Sequence, residues 1–240
     1  MRVAVVSDIH GNLQALEAVL GSIDQDAPDE IWCLGDLVGY GPRPNRCCAV
    51  VAERADVCLI GNHDLAALGR LDLEIFSPDA ALTAEWTARQ LEPGPRAFLE
   101  GLEPRGERND VGLFHASPRD PVWEYVLSPG IAYAGLAATP QDIVLVGHSH
   151  VALAFRLSTT TLATAAEGTE VELAGDRLLL NPGSVGQPRD GDPRAAWLSL
   201  DLDAGCASFR RVEYDVAATQ AEMRERGLPE ALAARIEHGV

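Results

Sequence analysis

No lysine occurs anywhere in the chain: all 19 basic residues are arginine, against 36 aspartates and glutamates, for a formal charge of −17 over 240 residues. The missing lysine reflects a bias in composition and carries no function of its own. The acidity opposes stable binding to nucleic acid or to an anionic membrane, since both are polyanions, and leaves room for a local cationic site that takes a small anion. No apolar stretch approaches the ~20 residues that span a bilayer. The first residues enter a strand directly, without a basic segment and cleavage site, so a cytoplasmic protein is expected. Cysteine is also sparse. The five (Cys33, Cys47, Cys48, Cys58 and Cys206) are odd in number, include an adjacent pair and show no C-x-x-C spacing, which argues against a disulfide framework and a zinc ribbon. Cys33 and Cys58 sit in apolar runs and read as small core residues.

What the chain does have is a recurring apolar strand followed by a polar cluster. Its length suffices for one sizeable core, read as a single domain over residues 1–240. Arg2 to Val6 reads as a buried strand leading into Ser7-Asp8-Ile9-His10-Gly11-Asn12. Leu13, Leu16, Val19, Leu20 and Ile23 then recur at helical spacing, with Asn12 as N-cap. Glu30 to Leu34 predicts a second strand ending at Gly35-Asp36. A helix follows from Asn45 to Arg54, and Asp56 to Ile60 predicts a third strand ending at Gly61-Asn62-His63-Asp64. Strands alternating with helices indicate parallel βαβ units, in which ligands bind outside the carboxyl ends of the strands. Pro78 to Leu102 reads as packing helices, with Leu82, Trp86 and Leu91 on one side and a break at Pro93-Gly94-Pro95. Val111 to Phe114 ends on His115, and Ile143 to Val146 ends on Gly147-His148-Ser149-His150. Beyond Val151, short strands at 151–157, 171–173, 177–180, 196–202 and 208–214 predict a mainly antiparallel second sheet. The tail is helical, with Pro229 starting a final short helix.

In extended backbone alternate side chains share a face, so Asp8 and His10, and likewise His148 and His150, are expected to point at one object. Alone, a D-x-H triplet more often marks a turn and a surface histidine. Its company decides otherwise: five of the six histidines (His10, His63, His115, His148 and His150) close apolar strands. With Asp8, Asp36 and Asn62 they are too many for one ion and suit two ions sharing a bridging carboxylate. Such pairs, ~3.5–4 Å apart, lower the pKa of bound water to about 7 and stabilise attacking and leaving oxygens, and phosphate-ester hydrolysis is the reaction that most needs this clamp.

The order D-x-H (Asp8, His10), G-D (Gly35, Asp36), G-N-H-D (Gly61 to Asp64), a strand-end His115 and G-H-S-H (Gly147 to His150) resembles the calcineurin-like metallophosphoesterase superfamily. The loop Asn181-Pro182-Gly183-Ser184-Val185, with Arg189 after it, resembles the small prokaryotic phosphodiesterase branch. The resemblance implies an α/β fold, a four-layer α/β/β/α sandwich of two mixed β-sheets flanked by helices. It implies that Asp8, His10, Asp36 and His150 hold one divalent ion (Mn, Fe, Co, Ni or Zn), and Asp36, Asn62, His115 and His148 a second. A hydroxide between them would attack phosphorus in line. His63 would be the general acid or phosphate-binding group, oriented by Asp64. The neutral amide of Asn62 limits the negative charge around the ions and leaves them electrophilic. Ala116 stands where the common motif has glycine, which bears on substrate size.

Residues around this set are candidates for substrate contact. Arg189, and Arg119 with Tyr125 after His115, either meet a phosphate or leaving group or serve as loop and surface residues. Tyr40 either stacks on a base or packs. The expectation is a metal-dependent phosphodiesterase acting on a small soluble phosphate ester. The alternatives are a phosphomonoesterase on the same site, or a non-catalytic protein-binding scaffold of this fold, as in a retromer subunit. Relatives of that subunit have a degraded ligand set, whereas every expected ligand and His63 are present here. Serine/threonine protein phosphatases and symmetrical dinucleoside tetraphosphatases usually show G-D-x-x-D-R-G and G-N-H-E. Gly35-Asp36-Leu37-Val38-Gly39-Tyr40-Gly41 and Gly61-Asn62-His63-Asp64 count against both.

Overall fold

The opening apolar run forms β1 (Arg2–Val6), with Val3 and Val5 facing one way and Ala4 and Val6 the other, all four buried. A strand buried on both faces needs a layer on each side. The computed structural model, which describes residues 1–240, supplies both. After β1 come α1 (Leu13–Asp26), β2 (Glu30–Cys33), α2 (Pro44–Arg54), β3 (Val57–Cys58), α3 (Asn62–Ala67), a 3₁₀ turn at Leu73–Ile75, α4 (Pro78–Gln90) and α5 (Pro93–Glu100). β4 (Arg105–Arg108), β5 (Val111–Phe114), α6 (Pro129–Ala137), β6 (Ile143–Leu145), β7 (Ala152–Arg156), β8 (Thr161–Thr164), β9 (Glu170–Glu172) and β10 (Leu178–Pro182) follow. The chain closes with β11 (Ala195–Asp201), β12 (Cys206–Val212), α7 (Val216–Glu225) and α8 (Glu230–Arg235).

The strands form two six-stranded sheets, ordered β3-β2-β1-β11-β12-β9 and β4-β5-β6-β10-β7-β8. Both are mixed. β1, β2 and β3 run parallel, as do β5, β6 and β10, while β11, β12 and β9, and on the other sheet β4, β7 and β8, pair antiparallel. The strands after Val151 therefore do not make a sheet of their own, as their spacing suggested. They extend both sheets, because β11 pairs with β1 and β10 with β6.

Val3, Val5, Trp32 and Leu198 from one sheet meet Leu113, Leu145, Leu178 and Leu180 from the other in the central core. On the outer face of the first sheet, Leu16, Val19 and Ile23 of α1 and Cys47, Cys48 and Val51 of α2 cover Ala4, Val6 and Cys33. Asn12 caps α1, its side chain accepting from the Ala15 amide. Burial of each such aliphatic is worth ~1.5–3 kcal/mol, so the α1 stripe fixes that layer. α6 covers the second sheet through Ala132 and Leu136 on Val144, Phe155 and Leu179. The four layers are thus helix, sheet, sheet, helix. Cys33, Cys47 and Cys48 are buried, and all five cysteines are free thiols.

Leu82 departs from its expected packing role. It is 48% exposed, and α4 meets its neighbours through the small residues Ala80, Thr83, Ala84 and Thr87 together with Trp86. Pro93-Gly94-Pro95 is the first turn of α5, where proline fits, as well as a break. α7 and α8 pack over the end of the sheets, placing Met223, Leu228, Leu232 and Ile236 against Tyr40 and Ala80.

Candidate metal centre

The carboxyl ends of β1, β2, β3, β5 and β6 lie together, and their loops are tied by backbone bonds. The Asp8, His10 and Gly11 amides donate to the carbonyls of Gly35, Asp36 and Leu37 at 3.0, 2.9 and 2.8 Å, and the Gly147 amide to His115 at 2.8 Å. Asp8 and His10 do not converge through extended backbone. Asp8 (φ 54°), His10 (φ 49°), Asp36 (φ 53°), His148 (φ 62°) and His150 (φ 58°) all adopt the left-handed region. Tyr40 (φ 58°) joins them, so six of the ten non-glycine residues with positive φ stand at this one place. Each such conformation costs on the order of 1–3 kcal/mol and persists only where its surroundings impose it.

Two groups of side chains result. The ligand atoms of Asp8, His10, Asp36 and His150 lie within 4.8 Å of one another, as do those of Asp36, His115 and His148. Asp36 belongs to both. Its Oδ2 is 3.6 Å from His10 Nε2 and 3.5 Å from His115 Nε2, and it is buried without a hydrogen-bond partner. Asn62 Oδ1 adjoins the second group, 3.1 Å from His115 Nε2. His148 Nε2 is also buried and unpartnered.

The tautomers follow from the partners. His10, His115 and His150 place Nδ1 on the carbonyls of Val38, Leu34 and Gln187 at 3.0, 2.9 and 2.6 Å. A carbonyl only accepts, so Nδ1 carries the proton, and in a neutral ring Nε2 keeps a lone pair. Burial, first among the causes, holds the imidazoles of His10, His148 and His150 well below their ordinary pKa, hence neutral. His10 Nε2 and His150 Nε2 then oppose two lone pairs at 3.0 Å. This contact repels unless a cation lies between them. Burial likewise raises the Asp8 carboxyl to about 7 and pushes that of Asp36 well above the usual carboxylate range. A divalent ion would reverse both shifts, so the donor set fits a metal.

Glycines allow the loops to close. A side chain at Gly61 would strike Asp36 Oδ1, and one at Gly147 would strike Ser7 Oγ. These are the glycines that precede Asn62 and His148.

His63 lies beside this centre, its ring 5.0 Å from that of His10 and 4.4 Å from Tyr40, with Nδ1 buried and unpartnered. Its amide donates to Asp36 Oδ1 at 2.9 Å. Asp64 does not orient this ring, contrary to expectation. Its oxygens accept from the Val38 and Gly61 amides at 2.9 and 3.0 Å, so it braces the loops around Asp36. Tyr40 is only 8% exposed and edges onto His10 at 4.8 Å, so it is not a rim platform for a base. Arg119 is committed to Glu124 at 2.7 Å and stands on the surface. Tyr125 stacks on His148 at 4.0 Å with 43% of its surface exposed. Ala116 is buried, its amide donating to Pro121. Arg189 lies beside the centre: its amide donates to the His150 carbonyl at 3.0 Å, and its charge opposes the upward shifts of Asp8 and Asp36. Arg235 on α8 was not anticipated. It lies 5.2 Å from the Tyr40 ring, beside Arg189, and nothing in the local pattern of the tail distinguishes it from a surface arginine.

The fold and this centre together define a metallophosphoesterase. Residues 1–205 match the calcineurin-like phosphoesterase superfamily domain, and the chain belongs to that superfamily and is a phosphoester hydrolase. A crystal structure of a metallophosphoesterase from Sphaerobacter thermophilus is 43% identical, with a TM-score of 0.92 over 100% of this chain and 99% of that one. An uncharacterised protein of Methanocaldococcus jannaschii is 36% identical over 239 residues, 98% of this chain and 96% of its own. Phosphodiesterase YfcE of Escherichia coli K12 is 27% identical over 209 residues, covering 85% of this chain and 89% of its own.

Proposed function

We propose that the chain is a two-metal phosphodiesterase acting on a small soluble phosphate ester. The observation that carries this reading is the pair of donor groups sharing Asp36, in the first of which the neutral His10 and His150 nitrogens face one another at 3.0 Å with no proton between them. Asp8, His10, Asp36 and His150 would hold one ion, and Asp36, Asn62, His115 and His148 the other, with Asp36 bridging. Such ions supply a nucleophile at neutral pH, by lowering the pKa of bound water to about 7, and offset charge on the attacking and leaving oxygens.

The chain's own residues do the rest. His63, adjacent to the centre, donates a hydrogen bond or a proton to the leaving oxygen, and Asp64 keeps the Asp36 loop in place through the Val38 and Gly61 amides. Arg189 holds a phosphate oxygen. The ligands are buried, which strengthens each of these interactions relative to water. The likeness to YfcE favours diesters over monoesters. Five free thiols support a reducing, cytoplasmic setting, and we take residues 1–240 to act as one unit.

Protein loaded with Mn²⁺, Ni²⁺ or Co²⁺ should hydrolyse a bis-aryl phosphodiester, and chelation should abolish turnover. Absence of hydrolysis with every one of these ions overturns the proposal.

A further inference from the structure

Most arginines of this acidic chain end on a carboxylate, as in Arg54–Asp24, Arg108–Glu30, Arg211–Asp190 and Arg224–Glu230. Arg189 and Arg235 are different. Both are half-buried, they lie next to each other, and neither forms an ion pair. What holds them together is neutral: the Gln187 side-chain oxygen accepts from Arg189 at 2.8 Å and from Arg235. The Tyr40 hydroxyl accepts from Arg189 at 3.5 Å. The Nε atoms of both arginines are buried without a partner. Guanidinium groups remain charged in proteins, so this is a pair of like charges in a partly dehydrated place with unused donors.

Position gives the pair a use. The guanidinium carbons of Arg189 and Arg235 lie 5.8 and 5.2 Å from the Tyr40 ring, and that ring lies 4.8 Å from His10 and 4.4 Å from His63. The pair is therefore one aromatic ring away from the metal centre. Gln187 binds it to that centre directly, since its carbonyl accepts from His150 Nδ1 at 2.6 Å. Arg189 has acidic neighbours in Asp8 and Asp36, whose charge the ions would take up. Asp79 influences Arg235 only from beyond ion-pair distance. With the centre loaded, two guanidinium groups remain beside it without an ion pair, held only by Gln187 and Tyr40. α8 is a firm platform for its member of the pair, because Leu232, Ala233 and Ile236 are buried and Gln220 donates to the Ala233 carbonyl at 3.0 Å.

We propose that Arg189 and Arg235 form a subsite for a second phosphoryl group, making the substrate an organic di- or polyphosphate rather than an isolated diester. The inference rests on the reading of the metal centre as the place of the scissile phosphate. Two forked donors suit a dianionic phosphoryl group, which offers several acceptor oxygens at once.

Calorimetric titration of Mn²⁺-loaded protein with inorganic phosphate and with methylenediphosphonate tests it. The diphosphonate should bind at least about tenfold more tightly than phosphate, a margin expected of one or two charge-assisted hydrogen bonds. Arg235→Gln should remove most of that margin, and Arg235→Lys, which keeps a charge without the fork, should restore part of it. Arg210→Gln, at an exposed arginine without an ion pair, should leave the margin intact. Melting curves of each variant identify any that is misfolded, and the lysine variant then carries the comparison. Equal affinity for the two probes, or a margin that survives in both Arg235 variants, overturns the subsite. Loss of the margin in a protein that fails to hydrolyse the bis-aryl diester would support the subsite and overturn the phosphodiesterase reading. Hydrolysis of the diester without an Arg235-dependent margin would do the reverse.

Discussion

Asp36 and His63 stand a hydrogen bond apart, yet their substitutions should fail in different ways. Asp36→Asn removes the one carboxylate common to both donor groups, and metal analysis should find both ions lost. His63→Gln leaves the donor groups whole. It should keep its metal content while turnover falls ~10²–10⁴-fold, the usual worth of a positioned acid or base. A His63 variant with full activity would remove His63 from the mechanism. pH acts on the same residues. Burial, reinforced by Asp36, lifts the Asp8 carboxyl to about 7, whereas burial keeps His10, His148 and His150 neutral. A metal needs the carboxylate form, so protons compete with it below pH 7 and uptake releases them. Metal affinity should therefore fall as pH drops below about 7, by about tenfold per unit for each proton displaced. Calorimetry in buffers of different ionisation enthalpy would count those protons, and a zero count would refute the argument.

At the level of single elements, the strand ends were legible because their chemistry is local. A buried strand followed by Asp or His needs no knowledge of its neighbours, and the α1 stripe and its Asn12 cap were equally plain. Other elements lacked such a signal. β4 is Arg-Gly-Glu-Arg, exposed throughout and without apolar alternation, and α6 is apolar on all sides, so neither shows a period. Sheet membership after Val151 does not follow from strand spacing, because pairing of β11 with β1 is a contact across nearly the whole chain. The left-handed backbone at Asp8 and His10 is equally invisible, since nothing in D-x-H distinguishes it from a strand. The loop glycines give a direct test of this packing. Gly61→Ala places a methyl group on Asp36 Oδ1, and should cost ~1–3 kcal/mol of stability together with metal affinity, read from melting curves and metal content. An alanine variant that melts and loads like the native chain would show that the loop has slack.

For the whole molecule, the centre is a seam between sheets. Asp8, His10, Asp36 and Asn62 follow strands of one sheet, while His115, His148 and His150 follow strands of the other, and each donor group draws on both. Ions bound there would join the layers. At about 100 times the dissociation constant, metal should add ~2.7 kcal/mol, or about 5–10 °C in melting temperature for a chain of this size. A melting temperature indifferent to metal would contradict the seam. Such long-range assembly also explains why the candidate metal donors stand out in the sequence and Arg235 does not. The donors announce themselves by residue type at a strand end, whereas Arg235 reaches Tyr40 only when α8 folds back over it.

The left-handed conformations of Asp8, His10, Asp36, His148 and His150 carry a consequence for descent. Glycine at any of these positions would relieve backbone strain, and an apolar residue the burial of charge, each at the cost of buried backbone groups that the side chains of Asp8, His10, Asp36 and His150 now satisfy. A lineage released from selection for the centre is free to replace them and keep the sandwich, whose core lies in the strands and helices, which is a route from an enzyme of this superfamily to a protein-binding scaffold.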